Sequence, residues 1–556
     1  MMIHSQSTAS AGRMTSPSAQ SIGNANGPLA THGSDTNNRH HSMQIILTGL
    51  VIAVSMSSID QTVISLSAQT IQSGIGLTAS GIQWAINAYL LAAAAMFPLS
   101  GRLADVLGYR RAMLIGIVSF GIGSLLCGLT PAGSMALGWM VISRIVQGIG
   151  LAWMFPAAIG ILFTYSPTDR RASSMASFFA ITGAMTAIGP IVGSYVITFS
   201  WRYVFFINLP LAMVSLVLIQ WFVPRDSMHL HRSGFSKVDG LGAFLAAAAM
   251  VALILPLQQG SDVGWSDPRI IASFVTAALL FAVFVTLELR RSNPIINVRV
   301  FANLRFSISA IANLVASVAF IPIMYFLSVY GQLALSKDVL DASLLILYFF
   351  IGFMIASKLG ARIFERHGSR RVLIIAGLCT VGGFLYLTSA VGGFNAGIPS
   401  QESVLDTAIA LSGAGIGFMF SPTSTDMVNR ALNASYGEVS AITQLFKNFG
   451  GALGMALFSS LSSTVFANRL HNGLSRYGVT QAMADAIANS AGTAAQSQTG
   501  SALSKMPTQV QHTIMATVRE SYSMAVGRVF LMMAAIGVIF LCLALAYPSD
   551  RKRNRQ

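Results

Sequence analysis

Asp60 is the one charged side chain in the apolar run 44–68, and Arg144 is the one in the apolar run 137–165. A carboxylate surrounded by hydrocarbon is costly unless it is paired, protonated or facing water, so an acid at such a place is a candidate for function by default. Burial favours the protonated carboxyl, and a nearby cation favours the ionised one. A group held between those two effects can load and release a proton as water access changes sides. That is proton-carrier chemistry. A structural pair that only orients helices is the alternative for Asp60.

Other chemistries find little support. Cys127, Cys379 and Cys542 lie in apolar runs without metal-ligand spacing and read as small packing residues. No phosphate loop, ATP-binding signature, His/Cys cluster or catalytic triad stands out, so no metal, no cofactor and no enzymatic activity are expected.

The elements that must position the charges are membrane helices. Apolar residues make up 54% of the 556 and charged residues only 10%, where a soluble chain carries about a quarter. Runs such as 44–68, 84–100, 270–289 and 528–547 are each near the ~20 residues that cross a bilayer. Hydropathy with Gly, Pro and charge punctuation predicts an all-α integral membrane protein with fourteen spans. Seventeen basic residues fall on one set of short loops, against only Arg202, Arg269 and Lys337 on the other. By the positive-inside rule both termini are cytoplasmic, including the basic tail 549–556. The same bias accounts for the net charge of +15, so nucleic acid is not an expected partner. Residues 1–42, rich in Ser, His, Asn and Gly, read as a disordered cytoplasmic tail with no cleavable signal.

The chain repeats itself. Gly101-Arg-Leu-Ala-Asp105-Val-Leu-Gly108-Tyr-Arg110-Arg111 returns as Glu365-x-x-Gly368-x-Arg370-Arg371, offset by 260 residues. Gly148-x-Gly150…Met154-Phe155 matches Gly413-x-Gly415…Met419-Phe420, and Gly189…Gly193 matches Gly450…Gly454. Three marks in one order predict two six-helix bundles, 43–223 and 305–548, with two inserted spans and their linkers at 224–304. Such duplication is the usual build of a transporter. No acid or arginine occupies the repeat positions of Asp60 and Arg144, where Phe320 and Ile409 stand. Proton coupling is therefore expected in the N-terminal half. Residues 464–527, rich in Ala, Ser, Gln and Thr, read as a long extracytoplasmic loop with short surface helices.

At these residues the chain resembles the major facilitator superfamily, in its fourteen-helix drug:proton antiporter branch. The first hairpin resembles the family signature, with Val106 and Tyr109 at two usually basic places. Met140-Val-Ile-Ser-Arg144-Ile-Val-Gln147-Gly148-Ile-Gly150 resembles the span-4 motif. Gly189-Pro190-Ile-Val-Gly193 resembles the antiporter motif of span 5, with Ser194 where a second Gly is common. Ser58-Ile-Asp60-Gln-Thr62-Val63 resembles the span-1 motif, without its usual Asn and Pro. The resemblance implies that spans 1 and 4 meet at a central cavity, with Arg144 there as partner to Asp60 or competitor for the same proton site. It implies that Gly101, Asp105, Gly108, Arg110 and Arg111, with Glu365, Gly368, Arg370 and Arg371, form cytoplasmic latches in which the arginines make charge-relay contacts. It also implies a monomeric transport unit in a bacterial inner membrane, its partners being protons, a small-molecule substrate, the lipid bilayer and, in some members, a periplasmic adaptor.

The remaining candidates come from the residues. Gln61, Gln83, Asn87, Trp153, Met154 and Phe155 are polar or soft groups suited to lining a cavity, though each also suits packing. Gly189-Pro190 should kink span 5 and let it pack closely, either to limit leakage or as packing alone. Lys447 lies near enough the inner end of its span to snorkel, and Glu288 is expected to pair with Arg290 or Arg291. Together these predict an exporter of small amphipathic or cationic compounds in exchange for protons. The alternatives are a proton-coupled or facilitative importer of a small metabolite, and a non-transporting scaffold docking partners through 464–527.

Overall fold

In a bilayer every backbone N–H and C=O must be satisfied within the chain, which leaves helices as the answer for apolar runs of this length. The computed structural model describes residues 32–225, 239–291, 294–392, 399–431, 434–474 and 508–548. Among them fourteen helices are long and apolar enough to cross a membrane. In chain order they are α1 (His32–Ile75), α2 (Ala79–Leu107), α3 (Tyr109–Gly128), α4 (Ala136–Tyr165), α5 (Arg171–Ile197), α6 (Tyr203–Phe222), α7 (Gly240–Val263) and α8 (Pro268–Arg290). Then follow α9 (Leu304–Leu333), α10 (Val339–His367), α11 (Ser369–Gly392), α12 (Pro399–Arg430), α13 (Tyr436–Leu474) and α14 (Thr508–Ala546). The expected fold class and number of spans hold.

Some boundaries differ from expectation. α1 starts at His32, inside the segment 1–42 expected to be disordered. α13 runs to Leu474 and α14 begins at Thr508, so both flanks of 464–527 continue spanning helices; residues 475–507 lie outside the described residues. α6 is interrupted at Ile207, between Tyr203–Phe206 and Asn208–Phe222.

Helix starts follow local chemistry. Asp239, Asp267, Asn303 and Asp338 each accept a backbone N–H at the first turn of α7, α8, α9 and α10, satisfying donors that the helix itself leaves open. The two hairpins turn on one residue apiece. Gly108 (φ 93°) and Gly368 (φ 80°) end α2 and α10, donate back to the carbonyls of Ala104 and Phe364, and hand straight on to α3 and α11. A side chain at either place would strain the backbone.

The sequence repeat is also a packing repeat. A Cβ on Gly148 of α4 would meet the Tyr89 carbonyl of α2 at 2.3 Å, and one on Gly413 of α12 would meet the Phe349 carbonyl of α10 at 2.0 Å. Gly150 lies against Phe120 of α3, and Gly415 against Thr380 of α11. Gly189 and Gly193 seat α5 on Thr62 and Val63 of α1, while Gly450 and Gly454 seat α13 on Leu314 and Val318 of α9. Small residues let helix backbones approach where hydrophobicity gives no preference between protein and lipid.

The two inserted helices sit differently from the rest. α7 packs on α2 and α13, with Ile254 beside Leu91, Ala94 and Ala452. α8 packs mainly on α7, where Ser273 bonds the Ala252 carbonyl at 2.9 Å, and turns Leu279, Phe281 and Val283 outward. Glu288 accepts the Ile296 N–H at 3.4 Å and feels the charge of Arg291, which itself pairs with Asp239 at 3.3 Å. The acid is spent on ordering the linker that bends back beneath it.

Candidate functional site

Five helices of the N-terminal half converge on Asp60. Its Oδ2 receives Arg144 Nη1 at 2.5 Å, and its Oδ1 receives Gln147 Nε2 at 2.8 Å and Asn208 Nδ2 at 3.4 Å. Arg144 Nη1 also donates to Gln147 Oε1 at 2.7 Å, Nε donates to the Ala85 carbonyl at 3.3 Å, and the guanidinium carbon lies 4.4 Å from the centre of the Tyr89 ring. Ser124 receives Asn208 Nδ2 at 2.9 Å and Gln147 Nε2 at 3.3 Å. Asp60, Arg144, Gln147 and Asn208 are all 0% exposed, so bulk solvent does not reach the charge. Such a pair keeps its geometry only while both partners are charged; protonating the acid removes the attraction that offset the desolvation of both.

Asp60 and Arg144 are thus partners. Gln147, Asn208, Ser124 and Tyr89 complete the site, although none was assigned a role in the sequence. Asn208 carried one signal, a carboxamide inside the apolar span 203–223. Gly189 of α5 presses on the same turn of α1, where a Cβ would lie 2.2 Å from Thr62 Oγ1. The side chain of Pro190, and the bend expected there, lie outside the described residues.

The hairpins form two related contacts across the seam between the halves. Asp105 at the end of α2 accepts the Gly437 N–H of α13 at 3.1 Å, the Tyr109 hydroxyl at 2.7 Å and the Ser435 hydroxyl. The helices touch there: a Cβ on Gly101 would meet the Gly437 carbonyl at 2.6 Å. Glu365 at the end of α10 accepts the Ser173 N–H of α5 at 3.0 Å. Each acid meets the positive end of a helix from the other half, where a carboxylate is favoured. Beside the second contact, Arg171 donates to the Tyr436 hydroxyl at 3.0 Å and Ser421 to the Ala172 carbonyl at 3.3 Å, both across the seam.

Two hairpin arginines make contacts of another kind. Arg110 donates to the Gln220 carbonyl at the end of α6 at 2.8 Å, and Arg370 to the Leu545 carbonyl at the end of α14 at 3.1 Å. Both of these contacts tie helices within their own half. Arg111 is exposed.

The cavity candidates separate. Phe155 joins an aromatic cluster that crosses the seam: it lies 5.9 Å from Phe178 and 6.5 Å from Phe179, Phe179 is 6.3 Å from Phe420, and Phe420 is 4.8 Å from Phe320. Met154 instead fills the α3–α4 interface against Gly116. Trp153 is buried, Asn87 is half-buried, and Gln61 and Gln83 are exposed.

Lys447 stands eleven residues, or ~16 Å, into α13 and turns toward other helices. Its ammonium lies 5.7 Å from the Phe155 ring, 5.6 Å from Phe320 and 5.9 Å from Phe420. The C-terminal half also buries Asp426, which accepts Ser309 (2.6 Å), Ser369 (2.5 Å), Tyr547 (2.6 Å) and Arg430 (3.4 Å). That half is therefore not stripped of charge; its charges stand at positions unrelated to Asp60 and Arg144 by the repeat.

Two internally repeated bundles, joined at one end by reciprocal helix caps and holding a buried ion pair, define a membrane transporter architecture. The chain belongs to the Major Facilitator Superfamily, whose family model matches residues 50–455. It is 25% identical over 511 residues to Multidrug resistance protein 3 of Bacillus subtilis, covering 91% of this chain and 96% of that one. It is 26% identical over 515 residues to the Tetracenomycin C resistance and export protein of Streptomyces glaucescens, covering 91% and 92%. Among solved structures it is similar to the proton:xylose symporter XylE bound to 6-bromo-6-deoxy-D-glucose, with a TM-score of 0.54 at 13% identity over 92% of this chain and 97% of that one. At that identity the likeness concerns the fold alone.

Proposed function

We propose that this protein is a proton-coupled antiporter that exports small amphipathic or cationic organic compounds by alternating access. The observation that carries the proposal is the fully buried Asp60–Arg144 pair with its Gln147 and Asn208 donors. Protonation of Asp60 releases Arg144 and loosens the joint between α1 and α4; loss of the proton restores it. The relatives named for drug resistance and export support the outward direction. The basic hairpin end faces the cytoplasm by the positive-inside rule, which makes the conformation described above one closed on the cytoplasmic side. The working unit is a monomer in a bacterial inner membrane, and a periplasmic adaptor is a partner to be sought by co-purification.

The test is efflux of a fluorescent amphiphile from vesicles under an imposed proton gradient. Wild-type protein is expected to exchange the dye for protons, and Asp60→Asn to bind dye without coupled flux. Full coupled transport by Asp60→Asn would sink the assignment.

A further inference from the structure

We infer that Lys447 and the phenylalanines around it form a binding site for amphipathic anions, aromatic carboxylates above all. This narrows the substrate range of the proposed exporter and rests on that reading.

A lysine inside a bundle of membrane helices ordinarily has a counter-ion. Lys447 has none among the described residues: its contacts are the faces of Phe155, Phe320 and Phe420. The acids on neighbouring helices are committed elsewhere. Asp426 lies six residues, or ~9 Å, along α12 from Phe420 and is held by two serines, Tyr547 and Arg430. Asp60 is held by Arg144, itself eleven residues, or ~16 Å, along α4 from Phe155. Ring faces offset only part of the desolvation of an ammonium. Lys447 is half-buried, so protein atoms do not cover all of its side chain.

A ligand that brings a carboxylate supplies the missing partner, and its aromatic body finds phenylalanine faces on three helices. A ligand that brings a second cation meets repulsion. At ~6 Å, with an effective dielectric constant near 20, that repulsion weakens binding by roughly a hundredfold. The site also has a built-in link to alternating access. Phe155 belongs to the N-terminal half, and Phe320, Phe420 and Lys447 belong to the C-terminal half, so an anion seated on Lys447 touches both.

The test is equilibrium binding of three probes of one shape to the full chain in nanodiscs: 2-naphthoate, neutral 2-naphthamide and naphthalen-2-ylmethylammonium. Wild-type protein should bind naphthoate at least tenfold more tightly than the ammonium. Lys447→Gln should lose at least tenfold for naphthoate and hold naphthamide within threefold, the amide serving as the check on folding. Lys447→Arg should restore naphthoate binding. The site is overturned if wild-type protein binds no naphthoate or prefers the ammonium, or if Lys447→Gln binds naphthoate as wild type does. Loss of substrate-driven proton flux in Lys447→Gln with unchanged naphthoate affinity would move Lys447 to coupling and also overturn it. Proton flux with Asp60→Asn is read separately, so the export reading and the anion site can fail independently.

Discussion

Asp105 and Glu365, 260 residues apart, accept the Gly437 and Ser173 N–H groups of α13 and α5, so each half caps a helix of the other. The two contacts differ in depth. Asp105 is partly buried and holds three donors, whereas the Glu365 contact is exposed. Removing a capping side chain costs about 0.5–2 kcal/mol, and a buried donor left without its partner costs more than an exposed one. Asp105→Ala should therefore favour opening of the hairpin end by up to about thirtyfold, and Glu365→Ala by only a few-fold. Spin labels at the exposed positions Arg111 and Arg366 would report the separation. Equal effects of the two substitutions would contradict the difference in depth.

Gly101→Ala should open the same end by a different route. Its Cβ would fall 2.6 Å from the Gly437 carbonyl, a backbone atom that no rotamer change can move. Overpacking of this kind costs about 1–3 kcal/mol, and here it acts on the closed state alone. Gly138→Ala, with nothing within 4 Å, is the control and should be neutral or slightly stabilising. Transport rate and label separation together would show the contrast.

The buried pair predicts a thermodynamic cycle. Asp60→Asn strands Arg144 and Arg144→Gln strands Asp60, each at a cost of about 3–5 kcal/mol. The double variant Asp60→Asn/Arg144→Gln should recover most of that stability and none of the proton coupling. Thermal unfolding in detergent, read beside proton flux, would separate the two. Additive losses in the double variant would mean the residues are not coupled.

Arg110→Ala and Arg370→Ala should behave as stability variants. Each removes a charged donor from a carbonyl of its own half, worth about 1.5–3 kcal/mol when buried. Arg110 is buried and Arg370 half-buried, so Arg110→Ala should lower the unfolding temperature more. The distance between labels across the seam should stay unchanged. A large shift in that distance would return the arginines to the gate.

Much of the molecule was legible in one dimension because a bilayer admits so few solutions. Apolar run length set the fourteen helices, and the recurrence of Gly108 and Gly368 marked the one-residue turns. Asp60 and Arg144 stood out because charge in an apolar run is rare. Their neighbours did not: Ser124 and Gln147 are ordinary in membrane helices until seen around a carboxylate. Lys447 was read from its place along one run; the rings it meets, Phe155, Phe320 and Phe420, come from three other helices, which no local pattern names.

By itself, then, the sequence determined the helices, their repeat and the presence of isolated charges, because these follow from hydrophobic run length and spacing along one chain. The tertiary structure decided the partners. It joined Asp60 to Arg144 across 84 residues, sent Arg110 and Arg370 inward to their own halves, and parted Met154 from Phe155, neighbours in the chain that face different helices. Side chains one residue apart on a helix point about 100° apart. Which of those directions meets another helix, the seam or lipid depends on packing that no local pattern records.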